Sequence, residues 1–586
     1  MRRPLALIAA TAMAACASFG GPAAVPPVVT LAAADEITAD TLLAISALCS
    51  AEALGLDNIA PDIRLSEGMG TGGFKVDTNS AEAQRWYNYG LALSHAFYHQ
   101  DVKAAMKRSV ELDPACSLCS WGEAWALGPT LNYGIEDEER QLALAAAVRA
   151  QSLVKPGDGL ARRLADAMVA RYAAPPPKAE DSKKVAGGKA DNKAGETDSR
   201  AKEEDGAESA FAHALTKIAA DYPDMTELTV LAAHSLMMVK RGEKTDNLKS
   251  ALVLLETVLK DHPNDTGAIH YYIHATEFDG RAEDALPYAK RLGALAPAAS
   301  HLVHMPGHTF FHAGLYHEAA VVNAQAIAMD ATWIAGGGDP RPPSVKDYRL
   351  PMYYGHNLSF GLAGAMMSGD GPLALRFAEH ATKAYPAEKE KLRFDPTPRT
   401  YVALARYAPD QMLALPPSAR DDASFRLYQA YGRGEAFLQK GDAASARIEL
   451  GKLRKAAGDD AEGKIALAVL EGRLAMAEGN TRYAMDRFNA GAVLQEKEFG
   501  TFMDPPTWWY PLRRSLAAAY LKAGDFAKAE AEANASLRSW KHDPLALWVL
   551  GKAQLAQGRA AEGEKTLFEA RKLWRGDFDS VTVEAI

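Results

Sequence analysis

The chain has 586 residues, 48% of them hydrophobic and 24% charged, which is ordinary soluble composition with enough apolar residues for a core. Its 65 Lys and Arg against 74 Asp and Glu give a net charge of -9, which argues against binding to nucleic-acid phosphates. Four cysteines are too few for a disulfide scaffold, and a sequence rich in alanine with few β-branched runs favours helix over strand.

The N-terminus has the pattern of an export signal. Two arginines precede an apolar run that ends at residue 15 and is too short to span a bilayer as a mature helix. The run closes with Met-Ala-Ala-Cys16, which resembles the lipobox of bacterial lipoproteins, whose cysteine is acylated. We therefore predict a signal peptide over 1–15, lipidation of Cys16 and a flexible tether over 16–40, with ordinary cleavage near 32–34 as the alternative. Either way we expect a periplasmic protein, and an outer-membrane lipoprotein if Cys16 is acylated.

The region 41–174 is predicted to form N-terminal helical units, and it holds Cys49, Cys116 and Cys119. Cys116 and Cys119 form a CxxC pair, but no second pair and no βαβ pattern accompany it, which disfavours a metal or redox motif. In an oxidising compartment we expect a disulfide, either within the pair or from Cys49 to one of its members.

Residues 175–206 begin with three prolines and continue with charges of both signs and no apolar period. Such a segment cannot bury enough apolar surface to offset the entropy lost on ordering, so it is predicted to be a disordered insert.

Small, aromatic and proline residues recur every 34 residues over most of the chain. Near the C-terminus, for example, Ala517 and Ala529 correspond to Gly551 and Gly563. The period resembles the tetratricopeptide repeat (TPR), whose unit is a pair of antiparallel helices that must stack on its neighbours to bury an apolar face. We predict an all-α, right-handed solenoid of about eight to ten such units, with histidine-rich central units over 207–400 and C-terminal units over 401–586.

Histidines are concentrated in two neighbouring units, in the segments HYYIHATE and SHLVHMPGHTFFHAGLYHEA. His270 and His274 are four residues apart on one predicted helix, and His304 and His308 follow one repeat later. Since equivalent positions on adjacent helices face each other at about 8–10 Å, these four rings are predicted to converge on one ion. Pro306 is the weak point of this geometry, because it either kinks the helix or begins a new one.

The resemblance to the repeat implies that the second, fifth, ninth and thirteenth positions of each unit line a concave groove. Six histidines at such positions are candidate ligands for copper, zinc, nickel or iron, which imidazole binds well: His270, His274, His301, His304, His308 and His356. Tyr271, Tyr272, Asn323 and Asn357 are candidates for hydrogen bonds to the ligands. Two other interpretations remain open, namely a groove for an anionic or peptide ligand and a structural polar network.

The segments HYYIHATE, HLVHMPGH, YYGHN and DPACSLCSWGEAWALGPTLNYG are similar to those of a family of secreted bacterial TPR proteins. The similarity runs from about 81 to 386, apart from the insert, and implies the fold and the site positions but no reaction. The chain departs from the family at His234, where glutamate is usual, and at His312, where a basic residue is usual.

Two hypotheses for function follow. The first is an exported, lipid-anchored solenoid that binds a protein or peptide partner in its groove and carries a copper, zinc or iron site. The second is a periplasmic metalloenzyme on the same scaffold, with Glu277 as a weak candidate for a catalytic base. A closed set of four ligands would favour the first, and an open coordination position beside a pocket would favour the second. Nucleic-acid binding is not expected, and membrane contact is expected only through the lipid anchor.

Overall fold

The computed structural model describes residues 63–132, 134–135, 137–173, 197–239, 245–334, 349–384, 396–417, 422–500, 504 and 506–586. The predicted signal peptide and tether, with Cys16 and Cys49, lie outside the described residues, as does most of the predicted insert. The chain divides into two units, Met1–Thr38 and Ala39–Ile586, and every described residue belongs to the second.

The N-terminal part of the described chain consists of an extended segment followed by seven helices. These are α1 (Ala81–His95), α2 (His99–Leu112), α3 (Ser117–Ala126), α4 (Asp137–Leu153), α5 (Gly159–Tyr172), α6 (Thr197–Asp221) and α7 (Thr226–Met238).

The central part holds the histidine-rich segments and one 3-10 turn, Ala282–Ala285. Its helices are α8 (Asp246–Asp261), α9 (Thr266–Asp279), α10 (Leu286–Leu295), α11 (Ser300–His304), α12 (Pro306–His312), α13 (Tyr316–Ile334), α14 (Arg349–Ser368) and α15 (Gly371–Ala384).

The C-terminal part continues with regular helix pairs and ends in a second 3-10 turn, Val583–Ala585. Its helices are α16 (Thr397–Tyr407), α17 (Pro409–Ala414), α18 (Ala423–Gln439), α19 (Ala443–Ala456), α20 (Ala461–Ala477), α21 (Thr481–Glu498), α22 (Leu512–Lys522), α23 (Phe526–Ser539), α24 (Pro544–Ala556) and α25 (Ala560–Leu573).

The 34-residue period corresponds to pairs of antiparallel helices that pack through small residues. In the pair α24 and α25, a Cβ on Gly551 would lie 3.0 Å from the Gly563 carbonyl oxygen, so a side chain there would force the two helices apart. Gly524 and Gly558, one repeat apart, have φ of 80° and 81° and allow each pair to turn tightly. The protein is an all-α solenoid of the TPR type, as the sequence predicts.

Two predicted boundaries differ from the structure. Helix α6 begins at Thr197, before the predicted end of the insert at 206, because the alanine, lysine and glutamate residues that close the charged segment are good helix formers. The boundary predicted at 400 falls inside α16, which packs continuously with its neighbours. Among the described helices, none combines the length and the apolar character that a membrane span requires.

The C-terminal units return to the central units and contact them. The hydroxyl of Tyr316 donates to the Lys541 carbonyl at 3.0 Å, and the amide of Arg575 donates to the Ser368 carbonyl at 2.8 Å. Lys541 forms an ion pair with Glu283 at 2.5 Å. In the same arrangement Asp504, which lies between α21 and α22 in the sequence, is beside the histidine-rich helices.

Candidate metal centre

The six histidines predicted as metal ligands lie on four neighbouring helices. Helix α9 carries His270 and His274, α11 carries His301 and His304, α12 carries His308, and α14 carries His356. Five of the six are buried, and His356 is 17% exposed at its side chain. The groove positions of the repeat are therefore part of the interior here and not an open surface.

The six rings form two groups of three, and in each group one ligand atom per residue lies within 4.8 Å of the others. Group A consists of His270, His274 and His301. Group B consists of His304, His308 and His356. His274, Glu277 and His308 form a third set that meets the same criterion and joins the two groups.

The predicted quartet of His270, His274, His304 and His308 is divided between the two groups, and His274 and His308 meet in the third set. The ring of His301 lies 5.1 Å from that of His270, between centroids, and the ring of His304 lies 4.9 Å from those of both His308 and His356. The two groups adjoin each other, since the ring of His274 lies 5.3 Å from that of His308 and the ring of His301 lies 5.6 Å from that of His304.

Pro306 begins α12, as one of the two alternatives predicted. Met305 keeps a helical backbone, with φ of -52° and ψ of -37°, so the chain passes from α11 to α12 without losing its direction. His304 and His308 therefore remain on one face, and their Nε2 atoms lie 2.9 Å apart.

In group A, the carbonyl oxygen of His95 accepts a hydrogen bond from Nδ1 of His270. With its proton on Nδ1, His270 presents the lone pair of Nε2. Within the described part of the chain, this Nε2 and both ring nitrogens of His274 and His301 have no hydrogen-bond partner. Buried polar atoms without partners are costly and uncommon, so this cluster of nitrogen atoms requires an explanation.

Phe97 packs directly against group A. Its ring centroid lies 4.4 Å from that of His270, 5.2 Å from that of His301 and 6.0 Å from that of His274. The backbone of Phe97 has φ of 60°, which is rare for a bulky residue and is usually left to glycine at the end of a helix. A strained turn after α1 thus holds a phenyl ring over the three histidines.

In group B, side chains instead of a backbone carbonyl orient the rings. Asn323 Oδ1 accepts from His304 Nδ1 at 2.7 Å, and the carboxylate of Glu277 accepts from His308 Nδ1 at 3.1 and 3.2 Å. Both rings then direct Nε2 at each other, and a hydrogen bond between these two atoms requires a second proton on one of the rings. A carboxylate or amide behind each imidazole is the arrangement by which proteins commonly orient metal-binding histidines.

Two carboxylates border group B. Glu277 also accepts from His312 Nε2 at 3.0 Å, and Asp504 Oδ1 lies 3.3 Å from His356 Nε2 and 3.5 Å from His308 Nδ1. The side chain of Asp504 is 21% exposed, so group B approaches the surface on this side.

Burial and neighbouring charges give the histidines of the centre different protonation states. Burial, together with the neighbouring histidines, lowers the pKa of His270, His301 and His304 well below the ordinary value, and burial lowers that of His356 to about 4. Burial also opposes the charge on His308, but Glu277 and Asp504 outweigh it and raise its pKa to about 9. These four rings are therefore neutral near pH 7, as a ligand must be, while His308 carries a proton that an ion would displace.

Glu277, the candidate for a catalytic base, is a buried carboxylate among three histidines. Burial favours its neutral form, but contacts with His308, His274 and His312 hold its pKa well below the ordinary range. In the metal-free protein Glu277 is therefore a buried counter-charge to His308.

Sequence reasoning missed three residues that shape the centre, namely Phe97, His95 and Asp504. His95 is itself held by Glu227, whose Oε1 lies 2.6 Å from His95 Nε2 and whose Oε2 accepts from the Gly73 amide at 3.0 Å. Each of the three is separated from the histidine segments by more than a hundred residues of sequence, and no local motif marks any of them. Of the predicted supporting residues, Asn323 contacts a ligand, whereas Tyr272 donates to Glu256 instead.

The CxxC pair lies apart from the candidate ligands. Cys116 and Cys119 form a disulfide with Cα atoms 5.3 Å apart, at the start of α3. Asp77 accepts from the amides of Ser117 and Leu118 at the same helix end. His234, one of the departures from the family pattern, packs 4.8 Å from the ring of Tyr271 and belongs to neither group.

No family model matches the chain, and no curated protein does. Solved structures match it at low identity. The APC/C hetero-tetramer Cut9-Hcn1 has 12% identity and a TM-score of 0.22, covering 86% of this chain and 95% of that one. The TPR domain of P58(IPK) has 14% identity and a TM-score of 0.19, covering 61% of this chain and 94% of that one. Yeast Tom70 has 11% identity and a TM-score of 0.19, covering 86% of this chain and 87% of that one. These values carry no information on function, and the fold assignment rests on the helix pairs described above.

Proposed function

We propose that the protein is a metal-binding solenoid whose buried histidine centre holds a transition metal, namely copper, zinc or iron. The observation that carries the proposal is the set of partnerless nitrogens on His270, His274 and His301, which lie within reach of one another. Imidazole nitrogen is a good ligand for all three metals.

The competing interpretation is a structural polar network, and group A argues against it. In such a network each buried ring would donate or accept a hydrogen bond, because leaving a buried polar group unpaired costs about 1–3 kcal/mol. Both nitrogens of His274 and His301 lack such a bond within the described residues. A bound ion would satisfy one nitrogen on each ring at once.

A second candidate function is a metalloenzyme, favoured by the partial exposure of His356 and Asp504 at 17% and 21%. Three protein ligands leave a coordination position for water or substrate, and an ion in group B would be the one nearer to solvent. Azide added to the Cu(II)-loaded protein tests this candidate. A shift of the visible absorption band indicates an open position, and an unchanged spectrum excludes one.

We further propose that the protein is exported, anchored by a lipid on Cys16, and that its solenoid surface binds a protein partner. The support for export is the sequence of the first 16 residues. Mass spectrometry of the mature protein should find an acylated Cys16 at the N-terminus. Any other mature N-terminus contradicts the anchor, and full-length protein in the cytosol contradicts export.

The metal proposal is tested by isothermal titration of metal-free protein with Zn(II), Cu(II) and Ni(II). His274→Ala and His304→Ala should each weaken binding strongly, because each removes a ligand from one group. His213→Ala is the matched control, since His213 is exposed on α6 and its Nδ1 lies 2.7 Å from the carbonyl oxygen of Ser209 in the preceding turn. Binding weaker than about 10 μM for all three ions, about -7 kcal/mol, would contradict the proposal.

A further inference from the structure

We propose that the centre takes two ions of different charge, a cuprous ion in group A and a divalent ion of the zinc type in group B. The inference rests on the metal-binding function proposed above and assigns a metal class to each half of the centre.

The ligand sets support two ions. Each group supplies three imidazoles within 4.8 Å of one another, which is a sufficient set of protein ligands for one ion. Each group also has its own means of fixing a ring, the His95 carbonyl in group A and the Asn323 and Glu277 side chains in group B. A single ion would leave three imidazoles without a role.

The surroundings of group A favour a monovalent ion. Glu277 approaches this group only at His274 Nδ1, at 3.7 Å, and its oxygens already accept from His308 and His312. The cost of burying an ion rises with the square of its charge, so a divalent ion costs about four times as much as a monovalent one in a site without a counter-charge. Among the metals that imidazole suits, copper is the one with a common monovalent state, Cu(I).

Phe97 adds to this preference. A phenyl ring in contact with all three histidines leaves little room for water beside an ion, and it can attract a cation through its face. The turn that holds it is closed by the Tyr98 amide, which donates to the Leu93 carbonyl at 3.0 Å, and glycine would fit this turn better than phenylalanine. Phe97→Gly therefore removes the ring from the site without straining the backbone.

Group B has the charges that a divalent ion needs. Glu277 and Asp504 stand behind His308 and His356, and together they balance two positive charges. The partly exposed side also lets a water molecule complete the coordination, as is common for zinc with three protein ligands.

The test loads metal-free full chain with Cu(I) and Zn(II) together under anaerobic conditions, with a Cu(I) chelator as competitor, and measures bound metals by elemental analysis. Wild type should bind one equivalent of each. His301→Ala should lose copper and keep zinc, and His356→Ala should lose zinc and keep copper. Phe97→Gly should weaken Cu(I) binding by at least about tenfold and change Zn(II) binding less than about twofold.

The outcomes separate this inference from the proposed function. If neither ion binds, both fall. If one ion in total binds, or if both groups take zinc equally in the presence of Cu(I), the metal-binding function stands and the two-ion inference falls. X-ray absorption on wild type decides independently of how the variants fold, because the inference requires copper with nitrogen neighbours only and zinc with an added oxygen neighbour.

Discussion

Groups A and B contain equivalent positions of the repeat, since His270 and His274 correspond to His304 and His308, yet their surroundings differ. Group A is sealed by Phe97 and has one ring oriented by a backbone carbonyl. Group B is bordered by two carboxylates and has its rings oriented by side chains. The repeat therefore determines the positions of the histidines, and residues outside the repeat pattern determine the different surroundings of the two groups.

The largest expected difference concerns the stability of the metal-free protein. His308→Ala should lower the free energy of unfolding by about 3–5 kcal/mol, because it removes a charged partner from the buried carboxylate of Glu277. His301→Ala in group A leaves no hydrogen-bond partner unpaired and should cost less than about 2 kcal/mol. Urea denaturation of both variants measures the difference, and equal losses would show that the groups are energetically alike.

The stability should also depend on pH in opposite directions through His308 and through the histidines whose pKa values are lowered. The pKa of His308 is about 9 in the folded protein against an ordinary 6.5, so its contribution is complete below pH 6.5 and lost as the pH rises through about 9. The lowered pKa values of His270 and His301 in group A, and of His304 and His356 in group B, give a contribution that is present above pH 6.5 and lost as the pH falls.

Metal-free protein should therefore lose about 3 kcal/mol of unfolding free energy between pH 6.5 and 9, as measured by urea denaturation at each pH. His308→Gln should flatten this alkaline loss and leave the acid side alone, whereas His301→Gln should lessen only the acid loss. If His308→Gln still loses unfolding free energy between pH 6.5 and 9, a group other than His308 causes the loss.

A smaller effect is expected from removing the side chain that orients a ring in group B, because the corresponding acceptor in group A is a backbone carbonyl. Asn323→Ala removes the acceptor behind His304 and should weaken zinc binding in group B about 10–100-fold, about 1.4–2.8 kcal/mol. Cu(I) binding in group A serves as the control within the same variant, because His270 is oriented by a backbone atom that the substitution does not touch. Chelator competition measures both, and a parallel loss at the two groups would mean that they are not independent.

The smallest effect is expected from the repeat itself. Gly558→Ala places a side chain where φ is 81° and no other atom lies within 4 Å, so it should cost about 1 kcal/mol of stability through backbone strain alone. The metal content should be unchanged. Thermal unfolding and elemental analysis check the two statements, and a loss of metal would indicate coupling between the C-terminal units and the centre.

The fold was predictable because its determinants are local and repeated. The small residues Gly551 and Gly563 and their counterparts one period earlier mark where two helices touch, and that signal is visible without knowledge of distant contacts. The register of His270 with His304 followed from the same period.

The grouping of the ligands was not predictable, because it depends on contacts between distant segments. Asp504 reaches the centre through the return of the C-terminal units, and no pattern near residue 504 indicates this. Phe97 adopts a left-handed backbone that its residue type disfavours, so local rules would predict glycine in its place. Assigning repeat positions to helix faces from the sequence also predicts that groove positions are exposed, whereas these histidines are buried.

The return of the C-terminal units has a consequence for the order in which the centre is assembled. The three histidines of group A and Phe97 are all present once residue 301 has been synthesised. Asp504, which lies beside group B, is synthesised about two hundred residues later. During synthesis the N-terminal parts of a chain generally fold first. A partly folded chain would therefore acquire the site for a monovalent ion before it completes the site for a divalent one.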